Sequence, residues 1–288
     1  MTRSVTYLDY QIKVYQEGSG KPLVFLHGWP TNSRLWHSQV EALKADYKVI
    51  TYDCLGFGQS DKPKEHSYTF TKKKEILDAV LADTLDDNET VTLIAHDIGG
   101  PPAILWAHDN QEQVERLVLL NTILFPFSTP LDKISHFSFG IPLLNRLLVS
   151  DFYLKNVMKK FTKSKGEIVD RHIGSILDWH QNLTSRTKLR TILEPMNQGR
   201  ANELLSLEAK LQQLPAKKFL IIAKEDPLCY AHMKRFCERN PSVPSFIIDN
   251  CGHYLPIDKP KELTNILLKI LKEDVVGQGH KAQYDSSL

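Results

Sequence analysis

The chain has 288 residues, of which 42% are hydrophobic and 24% are charged, and its formal net charge is +2. This length is enough for one large domain or for a core with an insertion, and the composition is ordinary for a globular protein. A charge so close to balance gives no reason to expect nucleic acid or an anionic membrane as a partner.

The cysteines and the apolar segments bear on location and cofactors. Four cysteines lack the paired spacing of a zinc site or a disulfide framework, so we expect free thiols in a reducing compartment. The first residues lack the apolar segment of a signal peptide, and no apolar run reaches the roughly 18 residues of a membrane-spanning helix. We therefore expect a cytoplasmic protein with no membrane association and no metal or organic cofactor.

The first third of the chain alternates strand and helix patterns. We predict a hairpin over 5–20, a strand over 23–26, a helix over 36–43, a strand over 47–52 and a helix over 70–85. A glycine-rich loop over 53–63 lacks the Gly-Lys-Ser/Thr ending of a phosphate-binding loop. A further strand over 114–120 continues the rhythm, which predicts a mostly parallel sheet covered by helices on both faces.

Residues 91–105 contain the most informative motif. An apolar strand over 91–95 runs into Gly99 and Gly100, and two prolines then open a helical pattern. A strand, a very tight turn and a helix form the layout of a nucleophile elbow, with Asp97 at its apex. The alternative is that Asp97 only caps the helix, which is a common role for aspartate.

The regular rhythm breaks after residue 121. Residues 122–207 carry apolar residues at helical spacing together with many aromatic residues, and we predict a helical cap inserted over the carboxyl edge of the sheet. The predicted organisation is a core over 1–121 and 208–274, the cap over 122–207, and a disordered polar tail over 275–288.

Two further polar residues follow strands of the second core part. Asp226 follows a predicted strand over 218–223, and His253 follows another over 244–249. With Asp97 they stand in the chain order nucleophile, acid, base. A carboxylate is anionic at neutral pH, so it can attack carbon directly and form an ester. Hydrolysis of that ester needs a base for water, and histidine with an acidic partner suits this role.

Backbone N–H groups are expected to hold the oxyanion that forms during ester hydrolysis. We predict that they belong to Ile98, directly after the nucleophile, and to Trp29, in the loop over 27–30. Gly28 would let the backbone of this loop approach closely.

These motifs resemble those of the α/β-hydrolase superfamily, in its branch of haloalkane dehalogenases and epoxide hydrolases with an aspartate nucleophile. The similar segments are 27–30, 53–63, 96–100, 117–122, Asp226 and 252–253. The resemblance implies an α/β-hydrolase fold with a helical cap and an Asp97–His253–Asp226 triad. In some dehalogenases the acid follows the strand that ends here near Asn121; that position is an amide, which leaves Asp226 as the acid, with Asp249 as the weaker alternative.

The sequence departs from both enzyme classes in its leaving-group residues. Typical haloalkane dehalogenases follow the nucleophile with a tryptophan that holds the halide, whereas this chain has Ile98. Epoxide hydrolases use two cap tyrosines, whereas the predicted cap has Tyr153 without a second. Trp179 and Tyr153 are candidate substrate-binding residues of the cap.

The expected function is hydrolysis of a small apolar organic substrate by a monomer or homodimer. The matching segments favour a haloalkane dehalogenase-like hydrolase, with an epoxide hydrolase as the alternative. A third possibility is a hydrolase-fold binding protein that has lost activity, which the missing donor after Asp97 motivates.

Overall fold

The computed structural model describes residues 1–125, 150–177, 191 and 203–272. Eight strands form one sheet in the order β1-β2-β4-β3-β5-β6-β7-β8. Their bounds are β1 Thr2–Tyr7, β2 Tyr10–Glu17, β3 Pro22–Leu26, β4 Lys48–Tyr52, β5 Val91–Asp97, β6 Val114–Thr122, β7 Lys217–Ala223 and β8 Ser245–Ile248.

The sheet is antiparallel at one edge and parallel elsewhere. Strand β2 pairs antiparallel with both β1 and β4, whereas β4, β3, β5, β6, β7 and β8 are joined by parallel pairings. Every residue of β3, β4 and β5 is buried, as expected for parallel strands with helices on both faces. The predicted fold class is confirmed.

Helices cover the two faces of the sheet. Their bounds are α1 His37–Leu43, α2 Phe70–Thr84, α3 Gly100–Asp109, α4 Asp151–Phe161, α5 Glu167–Leu177, α6 Glu203–Gln213, α7 Tyr230–Arg239, α8 Leu255–Asp258 and α9 Pro260–Lys272. Buried residues of α2, α3, α6 and α7 share one apolar cluster with one face of the sheet. Residues of α1, α4, α5 and α9 share the cluster on the other face.

The described part of the predicted cap is helical. Helix α4 begins after Ser150, whose side chain accepts a hydrogen bond from the Tyr153 N–H as an N-cap. Helix α6 begins before residue 208, where the second core part was predicted to begin. Its leucines pack into the same apolar cluster as α3 of the core. The other residues of 122–207 and the tail over 275–288 lie outside the described residues.

None of the helices described in residues 1–125, 150–177 and 203–272 has the length and apolar composition needed to cross a membrane.

Candidate active site

Asp97 lies at the apex of the tight turn between β5 and α3, as the elbow motif predicts. Its φ of 52° is in the left-handed region, which is strained for a residue with a side chain. Gly28 faces it so closely that a Cβ there would lie 2.5 Å from the Asp97 Cβ. A Cβ at Gly100 would collide with Thr122, whose hydroxyl donates a 2.6 Å hydrogen bond to the Asp97 carbonyl. Glycine is therefore required on both sides of the turn, because the Asp97 side chain packs on Gly28 and the Thr122 side chain packs on Gly100.

The structure brings the three predicted triad residues together at the carboxyl edge of the sheet. The Nδ1 of His253 lies 2.9 Å from the Asp226 Oδ2, and its Nε2 lies 3.9 Å from the Asp97 Oδ1. All three residues are buried. The Nε2 of His253 makes no hydrogen bond within the described part of the chain. This nitrogen therefore faces the Asp97 carboxylate.

The alternative acid Asp249 is not near the base. Its carboxylate pairs at 2.7 Å with the Lys224 ammonium, and about half of each of these side chains is exposed. Asn121, at the end of β6, accepts a 2.9 Å hydrogen bond from the Ala223 N–H and so joins β6 to β7. Of the two candidate acids, the geometry therefore favours Asp226.

Both predicted oxyanion-hole amides lie at the nucleophile. The Trp29 N–H donates a 2.9 Å hydrogen bond to the Asp97 Oδ2. The Ile98 N–H also acts to lower the pKa of the Asp97 carboxyl. Donors at these two positions would stabilise negative charge on a carboxylate oxygen, and equally on the oxyanion formed when water attacks an Asp97 ester.

Burial and charge act in opposite directions on the triad. Burial raises the pKa of Asp97, although His253 and the two amides oppose it. Burial also opposes ionisation of Asp226, but the His253 charge and hydrogen bond outweigh it and lower the Asp226 pKa. Burial lowers the pKa of His253, yet the two carboxylates together raise it above its ordinary value. The histidine is thus a stronger base than a free imidazole.

His96 directly precedes Asp97 and contacts both the backbone and the ring of His253. Its Nε2 donates a 2.9 Å hydrogen bond to the carbonyl of His253, and the two rings pack 4.7 Å apart. Its Nδ1 is buried without a hydrogen-bond partner in the described residues. Burial and the nearby His253 lower the pKa of His96 to about 3, so it is neutral at physiological pH.

The loop that carries His253 is also tied to helix α4. The His253 N–H donates a 2.8 Å hydrogen bond to the carbonyl of Phe161, the last residue of α4. Asp258 then accepts hydrogen bonds from the N–H groups of Gly252, Lys163 and Ser164 at 2.7 to 3.0 Å. These bonds join the His253 loop to α4 and the residues that follow it, so a shift of α4 would move His253.

A cavity of about 220 Å³ opens onto Asp97. Its wall includes Asp97 and His253 and is otherwise mostly apolar, with side chains from the core and from α4. The remaining lining residues are Trp29, Ile98, Ile123, Val157, Phe161, Leu228, Cys229 and Tyr254. The size and lining suit a small apolar molecule.

The two predicted substrate-binding residues of the cap do not appear in this wall. Tyr153 lies near the start of α4 with a 37% exposed side chain and does not line the described cavity. Trp179 lies outside the described residues. Sequence reasoning missed Tyr254 and Cys229, although each stands within three residues of a triad member and so lies near its strand end.

One set of described residues has the donor atoms of a metal site. Asp226, Cys229 and His253 each place a ligand atom within 4.8 Å of the others. Asp226 and His253 already share a hydrogen bond, and burial with the nearby carboxylates raises the Cys229 pKa well above its ordinary value. An ion here would displace the proton of the thiol and compete with the triad, so these residues do not favour a resident metal.

Comparison with known proteins agrees with the fold. The sequence profile of the family described as alpha/beta hydrolase fold matches residues 21–260. The chain therefore belongs to the α/β-hydrolase fold family, as the resemblance predicted, and we conclude that it is an enzyme of this family.

Individual relatives span several reactions. The chain is 29% identical to the cis-3-alkyl-4-alkyloxetan-2-one decarboxylase of Shewanella oneidensis over 269 residues, which cover 89% of this chain and 84% of that protein. It is 25% identical to the soluble epoxide hydrolase of a Corynebacterium species, with 90% of this chain and 93% of that protein covered. The crystal structure of a haloalkane dehalogenase from Agrobacterium tumefaciens has a similar fold, with a TM-score of 0.78, 20% identity, and 95% and 96% of the two chains covered.

Proposed function

We propose that the chain is a hydrolase that forms a covalent ester between Asp97 and a carbon atom of its substrate. The observation that carries this proposal is a buried carboxylate at the elbow, held by the Trp29 N–H, with the unbonded Nε2 of His253 3.9 Å away. A carboxylate needs no base to become a nucleophile, so this histidine serves the second step.

The reaction proceeds in two steps. In the first, an Asp97 oxygen attacks the substrate carbon, a C–O ester bond forms, and the leaving group departs with its electron pair. In the second, His253 takes a proton from water and hydroxide attacks the ester carbonyl carbon. The Trp29 and Ile98 amides hold the oxyanion, and its collapse releases the alcohol and regenerates Asp97. Asp226 stabilises the protonated His253 throughout.

Haloalkanes are the first candidate substrates. A halide leaves without taking up a proton, and the apolar cavity of about 220 Å³ suits a short alkyl chain. However, Ile98 contributes no donor for the departing halide. The described lining side chains that carry an N–H, O–H or S–H donor beside the triad are those of Trp29, Cys229 and Tyr254.

Epoxides are the second candidate, and the relative that favours them matches over 90% of this chain. Opening an epoxide with a carboxylate yields a hydroxy ester, which the same His253 step would hydrolyse. The decarboxylase relative adds oxetan-2-ones, which also contain a strained ring with an electrophilic carbon next to oxygen. In this proposal Asp97 attacks all three substrate classes, so one experiment can compare them.

The experiment is intact-mass analysis of His253→Gln after incubation with bromoalkanes, epoxides and an oxetan-2-one. Without the base, the ester should accumulate, since Asp97 still attacks but water is not activated. A bromoalkane adds its alkyl group to the mass, whereas an epoxide adds its whole mass. Peptide mapping should place the adduct on Asp97, and Asp97→Asn is the matched control.

The outcomes separate the candidates. An adduct that is absent from Asp97→Asn supports the ester mechanism, and the reagent that forms it fastest identifies the substrate class. A folded His253→Gln protein that forms no adduct with any of the three would contradict the mechanism. Such a result would favour the hydrolase-fold binding protein without turnover.

A further inference from the structure

Tyr254 lies in the wall of the cavity, directly beside His253. It directly follows the base His253, is only 1% exposed, and lines the cavity together with Asp97. Its ring packs edge-on against the His253 ring, with the centroids 4.9 Å apart and the planes at 79°. It also packs in the apolar cluster between the sheet and α4, α5 and α9. The side chain is therefore held in one position by packing, as a catalytic group must be.

The hydroxyl of Tyr254 carries a proton that no described residue accepts. Within the described residues it makes no hydrogen bond, although a buried tyrosine hydroxyl usually has a partner. Burial and the carboxylates of Asp97 and Asp226 raise the pKa of Tyr254 well above its ordinary value. The hydroxyl is thus fully protonated at neutral pH and lies in the field of the nucleophile.

We propose that the Tyr254 hydroxyl donates the proton to the ring oxygen of an epoxide as Asp97 opens it. This inference rests on the aspartyl-ester mechanism above and assigns it a proton donor within the core. It also assigns the substrate class, because a leaving alkoxide needs a proton whereas a leaving halide does not. Tyr254 takes the role that the resemblance led us to seek among the cap tyrosines.

The proposed step is balanced in atoms and protons. Asp97 forms a bond to the epoxide carbon, the ring C–O bond breaks, and its electron pair goes to the ring oxygen. That oxygen takes the Tyr254 proton, which leaves a hydroxy ester and a phenolate. In the hydrolysis step His253 takes a proton from water, and after the diol forms this proton returns to the phenolate. The sum is epoxide plus water to diol.

Other donors in the described wall suit this step less well. The Trp29 indole can donate a hydrogen bond but does not give up its proton, and the Cys229 thiol forms a weaker hydrogen bond to an oxygen than a hydroxyl does. An alkoxide is a stronger base than a phenolate, so the ring oxygen takes up the proton as the ring C–O bond breaks.

The test measures Asp97 ester formation in the His253→Gln background with and without Tyr254→Phe. One reagent is an epoxide and the other is the bromoalkane with the same carbon chain. Loss of a positioned proton donor should slow the epoxide reaction by about 100-fold or more. The bromoalkane reaction should change by less than about tenfold, because bromide takes up no proton, and it also reports that the variant is folded and its nucleophile intact.

Several results would overturn the assignment. Equal slowing with both reagents, or no slowing with the epoxide, would show that the hydroxyl does not transfer a proton. A selective loss of the epoxide reaction in Tyr153→Phe, with Tyr254→Phe unaffected, would move the donor to the cap. Labelling of Asp97 by bromoalkanes alone would overturn this inference but leave the ester mechanism standing, whereas no labelling at all would overturn both.

Discussion

Replacing His96 by glutamine tests whether this buried histidine is neutral in the folded enzyme. The lowered pKa of about 3 means that the folded protein takes up this proton far less readily than the unfolded chain, whose histidine pKa is about 6.5. Between pH 6.5 and pH 3 the unfolded chain binds a proton on His96 that the folded protein does not bind. The contribution of neutral His96 to stability is therefore fully present above pH 6.5 and is lost as the pH falls below it. The loss amounts to about 1.4 kcal/mol per pH unit.

Glutamine is the matched change because its side-chain N–H can still donate to the His253 carbonyl but does not titrate. Urea unfolding of both proteins at several values between pH 6 and pH 4 should give the free energy of unfolding. As the pH falls, we expect the free energy of unfolding of the wild type to fall more steeply than that of His96→Gln, by about 1 kcal/mol per pH unit. A constant cost of losing the ring shifts every value of the variant equally and leaves this difference in slope unchanged. Parallel pH dependences would refute the argument, since they would mean that folded His96 is protonated like a free histidine.

Two further predictions concern the residues that hold His253. Asp226→Asn removes the charge that raises the His253 pKa, so the rising limb of the pH–rate profile for Asp97 ester hydrolysis should move from above pH 6.5 to lower pH. The rate of ester hydrolysis should also fall by about 10²–10⁴-fold. Mass analysis of rapidly quenched samples would measure both changes. A pH–rate profile whose rising limb does not move would argue against the Asp226–His253 pair. Asp258→Asn places an amide where three N–H groups, including that of Gly252, donate to a buried carboxylate, and should lower the free energy of unfolding in urea by about 2–4 kcal/mol. A change within 0.5 kcal/mol, about that of an ordinary surface substitution, would contradict this role.

Much of the fold follows from local patterns in the sequence. The apolar runs over 23–26, 47–52, 91–95 and 114–120 are strands because buried parallel strands require apolar residues on both faces. Glycines next to Asp97 predicted the elbow because a tight crossing of strand and helix excludes side chains, and the structure shows these crossings directly. Asp97, Asp226 and His253 were each predicted to follow a strand. The carboxyl ends of parallel strands share one edge of the sheet, so these residues were expected there.

What the sequence did not determine are contacts between residues far apart in the chain. The choice of Asp226 over Asp249 depends on which strand end faces His253, and the sheet order decides it. The hydrogen bond from His96 to the His253 carbonyl joins the end of β5 to a loop far along the chain, so no local pattern predicts it.

The sequence by itself determined the class of fold, and it predicted Asp97 at the elbow and His253 after a later strand, because each prediction depends on spacing within one strand and its loop. Tertiary structure alone decided which side chains line the cavity beside Asp97: Tyr254 belongs to its wall, whereas Tyr153 does not. The reason is that a side chain's role in a cavity depends on the packing of several helices against the sheet, and this packing arises only when distant segments meet.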